Sequence, residues 1–117
     1  MSRTMSSLRR RLAPVLLMLA AGSAPVLAAD LPEFQLAIEH HRWQPEELRV
    51  PAGVKFKLVV TNRDGTPEEF ESVDLKREKI VMPGGQISVY IGPLEAGSYR
   101  FFGDFHQDTA QGRLIAE

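Results

Sequence analysis

The sequence of 117 residues contains no cysteine, and this absence excludes several kinds of protein. No disulfide can hold the fold or link the chain to a partner, so stability must come from the core or from a bound ion. No thiol can act as a nucleophile, and the hydrolase signatures Gly-x-Ser-x-Gly and His-Glu-x-x-His are missing as well. Acidic residues outnumber basic ones beyond residue 28, which leaves no basic patch to neutralise phosphates, so no nucleic-acid partner is expected.

Long apolar runs are also scarce, and the one candidate lies near the N-terminus. Three arginines at positions 9–11 precede an apolar stretch, residues 12–27, which Pro14 and Pro25 interrupt. This pattern predicts a secretory signal peptide over residues 1–28, followed by an exported, periplasmic domain over residues 29–117. An uncleaved membrane anchor is the alternative, but the run is short and broken for a stable membrane span.

The predicted exported domain is acidic. It carries all 15 Asp and Glu residues but only ten of the 14 Lys and Arg residues, which leaves a net charge of about −5. Such a surface attracts cations. The remaining length of roughly 90 residues is enough for one small domain.

Short apolar–polar alternations recur along this domain, separated by turns rich in glycine, proline and asparagine. The alternating segments are residues 34–38, 48–50, 56–60, 87–91, 98–102 and 113–116, and no window shows a convincing helical stripe. The turns include residues 51–53, 62–65, 82–85 and 95–97. The pattern predicts an all-β antiparallel sandwich or barrel.

The order of these elements resembles that of the cupredoxins. The segments WQP (43–45), LRVPAG (48–53) and VKFKLVVTNRD (54–64) are similar to the first half of a cupredoxin, and GPLEAGSYRFF (92–102) to the approach to its ligand loop. The resemblance covers nearly all of the predicted exported domain. It implies a cupredoxin-like Greek-key β-sandwich of roughly seven to eight strands.

The ligand positions depart from that family. The resemblance places the first ligand, a His in type 1 copper proteins, in residues 66–71, where Glu69 stands in its stead. The Cys position corresponds to Gly103, the loop His to His106, and the axial Met position lies near Arg113. With no thiolate, a type 1 blue copper site is not expected. Imidazole and carboxylate donors instead indicate a harder site for a copper or iron ion.

A narrower resemblance joins EEFES (68–72), REK (77–79) and FFGDFHQDTAQG (101–112) to the cupredoxin-like periplasmic proteins of Ftr- and Efe-type bacterial iron uptake. It implies a protein that binds copper or iron and helps to oxidise or deliver Fe(II). Its partners would be an inner-membrane iron permease and other periplasmic iron-uptake proteins. We expect a metal-binding or electron-transfer protein rather than an enzyme, although Fe(II) oxidation is a further role. The alternatives are a copper chaperone or metal buffer, and a structural module with a dead ligand site.

Two carboxylates after Pro67 are the first metal-ligand candidates. Glu69 and Glu71 share one strand face with the apolar residues 73 and 75, which predicts that both point inward. Inward carboxylates are costly unless a cation or protons compensate them. The alternative is that Phe70 and Ser72 mark the inward face and that the two glutamates are solvated.

The C-terminal loop supplies the other candidates. His106 is the strongest, because imidazole suits copper, iron and zinc, and Asp104 and Asp108 flank it. Asp108 could instead close a turn through its own backbone. His41 precedes the tryptophan of WQP, and the cupredoxin resemblance implies that it lies at the same end of the fold as the C-terminal loop, with a surface or packing role as the alternative. The sharpest hypothesis is one ion shared by Glu69 and His106.

Two further residues are weaker candidates. Glu78 is flanked by basic residues and is as easily explained by solvation. Met82 is a soft donor that suits copper, but buried packing is the more common role of methionine.

Overall fold

Nine β-strands and one short 3-10 helix make up the part of the chain, residues 31–117, that the computed structural model describes. The predicted signal peptide, residues 1–28, lies outside these residues. The strands are β1 (Glu33–Glu39), β2 (Arg42–Gln44), β3 (Glu47–Val50), β4 (Phe56–Asn62), β5 (Glu68–Ser72), β6 (Arg77–Val81), β7 (Gln86–Ile91), β8 (Gly97–Gly103) and β9 (Gln111–Ala116). The 3-10 helix, Asp104–His106, connects β8 to β9. None of the described helical residues forms a helix with the length and apolarity that crossing a membrane requires.

The strands form two sheets. The four-stranded sheet has the order β2-β1-β4-β7, in which β1 and β4 are parallel and the other neighbours antiparallel. The five-stranded sheet has the order β3-β9-β8-β5-β6, in which only β3 and β9 are parallel. The predicted all-β class is confirmed. The number of strands exceeds the expected seven to eight, because two strands show little apolar alternation in the sequence. Strand β2 is only three residues long, and β6 is mostly exposed.

Alternate residues of the central strands build the core. Phe56, Leu58 and Val60 of β4 are completely buried, as the alternation predicts. Beside them lies an aromatic cluster of Trp43, Phe70 and Phe101, whose ring centroids are 5.4 to 5.9 Å apart. Burial of each such side chain stabilises the fold by about 1.5–3 kcal/mol. The core is therefore a source of stability that needs no disulfide.

The inward row of β5 consists of Glu68, Phe70 and Ser72, which are 0%, 0% and 1% exposed. The interpretation that Glu69 and Glu71 point into the core is therefore wrong. The solvated alternative is also incomplete, because Glu69 is only 5% exposed on the opposite face and Glu71 is half-buried.

The error arose because β5 ends earlier than the apolar pattern suggests. The Ser72 hydroxyl donates to the carbonyl of Arg100 at 2.6 Å and accepts the N–H of Leu75 at 3.0 Å, which turns the chain. Leu75 thus reaches the core from a turn, whereas Val73 is 73% exposed. The two-residue alternation of a strand does not extend past its end.

Candidate metal centre

The turn between β1 and β2 is held in an uncommon conformation by one carboxylate. His40 and His41 both have positive φ angles, 55° and 57°, a region that non-glycine residues seldom occupy. Asp64 compensates, because its two oxygens accept the N–H groups of His40 at 2.6 Å and His41 at 3.1 Å. The Asp64 side chain therefore fixes the backbone conformation of the turn that carries His41.

A completely buried asparagine anchors this arrangement. The Asn62 side-chain oxygen accepts the N–H of Asp64 at 2.8 Å. The Asn62 amide donates to the carbonyls of Thr66 and Val81, at 2.8 and 3.0 Å. Thr66 lies just before β5, and Val81 is the last residue of β6. The Asn62 side chain therefore connects Asp64, which holds the His41 turn, to both of these strands.

Glu68 is the centre of the arrangement that we call the His–carboxylate cluster, formed by His41, Glu68 and His106. The Glu68 carboxylate is completely buried, and its two oxygens lie 2.8 Å from His41 Nδ1 and 2.8 Å from His106 Nδ1. The two imidazole rings stack with centroids 3.6 Å apart and planes 16° apart. At 2.8 Å, each Nδ1 is hydrogen-bonded to one oxygen of the Glu68 carboxyl group.

Electrostatics in the cluster favour positive charge. The hydrogen bond to Glu68 raises the pKa of His41 above its ordinary value of 6.5, against the opposing effect of burial, and the charges of Glu68, Asp64 and Asp108 add to the rise. Burial alone would raise the pKa of Asp64. Its contacts with the Glu68 carboxyl group and the N–H groups of His41 and His40 outweigh burial and hold that pKa below its ordinary value of 3.8.

The donor atoms of the cluster fit a metal ion. One atom from each of His41, Glu68 and His106 lies within 4.8 Å of the others. Two imidazoles and one carboxylate suit copper, iron or zinc. The imidazole side chains are 40% and 30% exposed, so the cluster is open to solvent on one side while its carboxylate is buried.

A second group lies on the other face of β5. We call Glu69, Glu71 and Asp104 the acidic cluster, because one carboxylate oxygen of each lies within 4.8 Å of the others. Glu69 Oε1 is buried without a hydrogen-bond partner among residues 31–117. Burial raises the pKa of Glu69 to about 7, with further contributions from Glu71, Glu78 and Asp104.

The structure thus divides the predicted ligands. His41 and His106 lie together, whereas Glu69, Glu71 and Asp104 form the separate acidic cluster. The hypothesis of one ion shared by Glu69 and His106 does not match this geometry, because Glu69 points to the opposite face of β5. Metal binding by either group stays a prediction.

Sequence reasoning missed Glu68, the residue that joins the two histidines. The signal that could have found it was the inward row of Phe70 and Ser72, since position 68 belongs to that row.

Asp108 is exposed and acts on His41 through its charge. Met82 is 62% exposed, so the expected packing role is wrong for this residue.

The position that corresponds to the copper cysteine has no room for a side chain. A Cβ atom on Gly103 would lie 2.8 Å from Ala110 Cβ and 3.5 Å from the Glu69 carbonyl oxygen. Real Cβ atoms essentially never come as close as the first of these distances. Both the absence of cysteine and the close packing of Ala110 therefore exclude a type 1 copper site here.

The sequence is similar to that of a curated protein. A curated relative from Rickettsia prowazekii (strain Madrid E), itself uncharacterized, is 51% identical over 83 residues, which are 71% of this chain. This chain spans 66% of that relative.

Solved structures agree in fold at low sequence identity. Amicyanin from Paracoccus versutus superimposes with a TM-score of 0.59 at 23% identity, over 80% of this chain and 92% of amicyanin. A second similar structure is the metal-binding domain of the Cu(I)-exporting P-type ATPase CopA of Streptococcus pneumoniae D39, solved with Cu(I). It superimposes with a TM-score of 0.62 at 11% identity, over 73% of this chain and 84% of that domain. The family model of the cupredoxin-like domain matches residues 11–116, and the chain belongs to that family.

Proposed function

We propose that the protein binds a copper or iron ion through the His–carboxylate cluster, at the end of the sandwich where β5 and the 3-10 helix meet. The observation that carries the proposal is the shared Glu68 carboxylate, completely buried and 2.8 Å from one nitrogen of each stacked imidazole. Burying an ionised carboxylate is costly unless a positive charge compensates it. Bound protons on the imidazoles or a metal ion can meet that need.

Two further observations support the proposal. Stacked imidazole rings at 3.6 Å repel each other when both are protonated, so the two histidines are poor compensation for Glu68 as a pair of cations. A metal ion gives the same compensation with a single charged centre. The cupredoxin-like fold, shared with copper-binding proteins such as the CopA domain, is in keeping with a metal-binding role.

In its finer form, the proposal is that the protein is a periplasmic accessory of ferrous-iron uptake, working beside an inner-membrane iron permease. The donor set supports this form, because two histidines and one carboxylate are the ligands that non-haem Fe(II) centres use. Fe(II) is then the cargo. If the protein also oxidises it, each Fe(II) loses one electron to a Cu(II) ion, which becomes Cu(I).

A second candidate is a copper chaperone or metal buffer without redox turnover. The observation that favours it is the fold shared with the CopA domain, which binds Cu(I) in its own structure. The two candidates differ in whether bound copper changes its oxidation state when Fe(II) is added.

Metal titration with electron paramagnetic resonance tests the proposal. We expect the purified protein to bind one Cu(II) with nitrogen hyperfine structure from imidazole, and to bind Fe(II) and Zn(II) in competition with it. The absorption should be weak, without the intense band near roughly 600 nm that a thiolate gives. The variant His106→Ala should lose the nitrogen coupling of one imidazole and most of the Cu(II) affinity, while the exposed-residue control Glu95→Gln should keep both imidazole couplings and the full affinity.

The outcomes separate the candidates. Full Cu(II) affinity in His106→Ala would overturn the His–carboxylate site. Loss of the Cu(II) signal on anaerobic addition of Fe(II), with appearance of Fe(III), would support the oxidising role. An unchanged Cu(II) signal would leave the chaperone or buffer.

A further inference from the structure

We propose that the acidic cluster is a second cation site, independent of the His–carboxylate cluster, for a hard divalent cation that prefers oxygen ligands. Its donors are the carboxylates of Glu69, Glu71 and Asp104, of which one oxygen each lies within 4.8 Å of the others. This site goes beyond the proposed function, because it uses none of the residues that hold the first ion.

The buried carboxylate of Glu69 points to a ligand. The residue is 5% exposed, and its Oε1 atom is buried with no hydrogen-bond donor in the part of the chain that the structure describes. A buried polar atom without a partner is costly, and a charged one more so. The neighbouring Glu71 and Asp104 cannot donate when ionised, because carboxylates only accept hydrogen bonds. A cation would satisfy the Glu69 oxygen.

The pairing of β5 with β6 adds charge of the same sign. Glu71 lies directly opposite Glu78 in the register of the two strands. Like charges in opposite positions destabilise a sheet. A positive ion at the acidic cluster would reduce this repulsion.

Side chains of the described residues do not neutralise the cluster. Within residues 31–117, no Lys, Arg or His nitrogen lies within 4.0 Å of a carboxylate of Glu69, Glu71, Glu78 or Asp104. Asp104 accepts a hydrogen bond from the neutral amide of Gln107 at 2.8 Å. Four carboxylates thus share this region without a positive side chain from the described residues.

The donor set defines the class of cation. The three oxygen atoms lie within 4.8 Å of one another, which is close enough for one ion to contact all of them at ligand distances of about 2.4 Å. Carboxylates without nitrogen donors suit Mg²⁺, Ca²⁺ and Mn²⁺. Asp104 is exposed and Glu71 half-buried, so an ion can enter from solvent.

The competing explanation is a proton in place of a metal ion. A single proton held between Glu69 and Glu71 would also reduce the charge repulsion. The two explanations differ in one measurable property, since only the first predicts saturable binding of a metal that depends on these carboxylates.

Mn²⁺ is a suitable probe, because it is paramagnetic and prefers oxygen ligands. The experiment titrates the purified protein with Mn²⁺ at about pH 8, where ordinary carboxylates are ionised, and measures free Mn²⁺ by electron paramagnetic resonance. We expect one saturable site in the wild type. Glu71→Gln and Glu69→Gln should each weaken it by at least about tenfold, since each removes one charged ligand.

Two controls separate this site from the first. Glu95→Gln removes an exposed carboxylate elsewhere and should leave Mn²⁺ affinity unchanged. His41→Ala should also leave it unchanged while it lowers Cu(II) affinity, so failure of one site is distinguishable from failure of the other. Circular dichroism checks that each variant is folded.

Wild-type Mn²⁺ affinity in both Glu71→Gln and Glu69→Gln would overturn the proposal, as would the absence of saturable binding to the wild type. Either result would leave the shared proton as the explanation for the buried Glu69 carboxyl group. Loss of Mn²⁺ binding in His41→Ala would also overturn it, because the second site would then not be independent.

Discussion

Two adjacent glutamates on β5 meet opposite surroundings. Glu68 faces the interior and lies 2.8 Å from a nitrogen of each of two imidazoles, so its negative charge has positive or hydrogen-donating partners. Glu69 faces the other way, is nearly as buried, and has an oxygen with no partner among the described residues. The same residue type thus belongs to a cluster of nitrogen and oxygen atoms on one face and to a cluster of oxygen atoms alone on the other.

The difference follows from which segments reach each face. The turn that carries His41 and the residue His106 converge on the inner face. On the outer face, the 3-10 helix that contains His106 also contributes Asp104, and β6 contributes Glu78. Because imidazole and carboxylate select different metals, the two faces are expected to discriminate between ions.

The largest expected effect comes from neutralising the inner glutamate. In Glu68→Gln the side chain keeps its shape but loses its charge, and its amide group cannot accept from a second imidazole. We expect Cu(II) affinity to fall by roughly 100-fold, as for loss of a charged ligand and its orienting contacts. Competition titration against a chelator measures this change.

The matched control is Glu69→Gln, one residue away on the outer face. It should leave Cu(II) affinity within about twofold, since its carboxylate lies outside the first cluster. Equal losses in the two variants would mean that the two faces do not act separately.

Double-mutant cycles test the same separation at a smaller scale. His41→Ala and His106→Ala should each lower Cu(II) affinity, and the double variant should cost much less than their sum, because either change already breaks the shared site. Glu69→Gln combined with His106→Ala should instead be additive within about 0.5 kcal/mol. Isothermal titration of the single and double variants gives these energies. Strong coupling between Glu69 and His106 would restore the single-ion hypothesis.

The smallest expected effect concerns stability and pH in the absence of metal. Burial raises the folded-state pKa of Glu69 to about 7 from an ordinary value of 4.5. A raised pKa means that the folded protein binds this proton more tightly than the unfolded chain does, so the resulting stability is full below pH 4.5 and is lost as pH rises through about 7.

Glu69→Gln removes this dependence. With chelator present, we expect its Tm to exceed that of the wild type by roughly 5 °C at about pH 8 and to match it near pH 4. Calorimetry at the two pH values measures the difference. A wild-type Tm that does not fall relative to the variant between these pH values would show that the Glu69 carboxylate is not destabilised by its surroundings.

Much of the fold was predictable from local pattern. Apolar side chains recur at every second position through Phe56, Leu58 and Val60, as expected of a strand with one face in the core. Glycine and proline mark the turns between strands. The edge strand β6 was not predictable in this way, since four of its five residues are exposed. A strand whose side chains do not enter the core leaves little periodic signal.

The sequence by itself determined the all-β class, the cupredoxin-like order of elements and the absence of a thiolate ligand. It also marked His41 and His106 as candidates, because imidazole near a ligand loop is chemically suited to a metal. Only the tertiary structure decided which glutamate joins them. Strand alternation makes adjacent residues point to opposite faces, so the choice between Glu68 and Glu69 depends on where β5 begins and ends. Its end is set by the contact of Ser72 with Arg100, 28 residues away, and such long-range contacts form only when the chain folds.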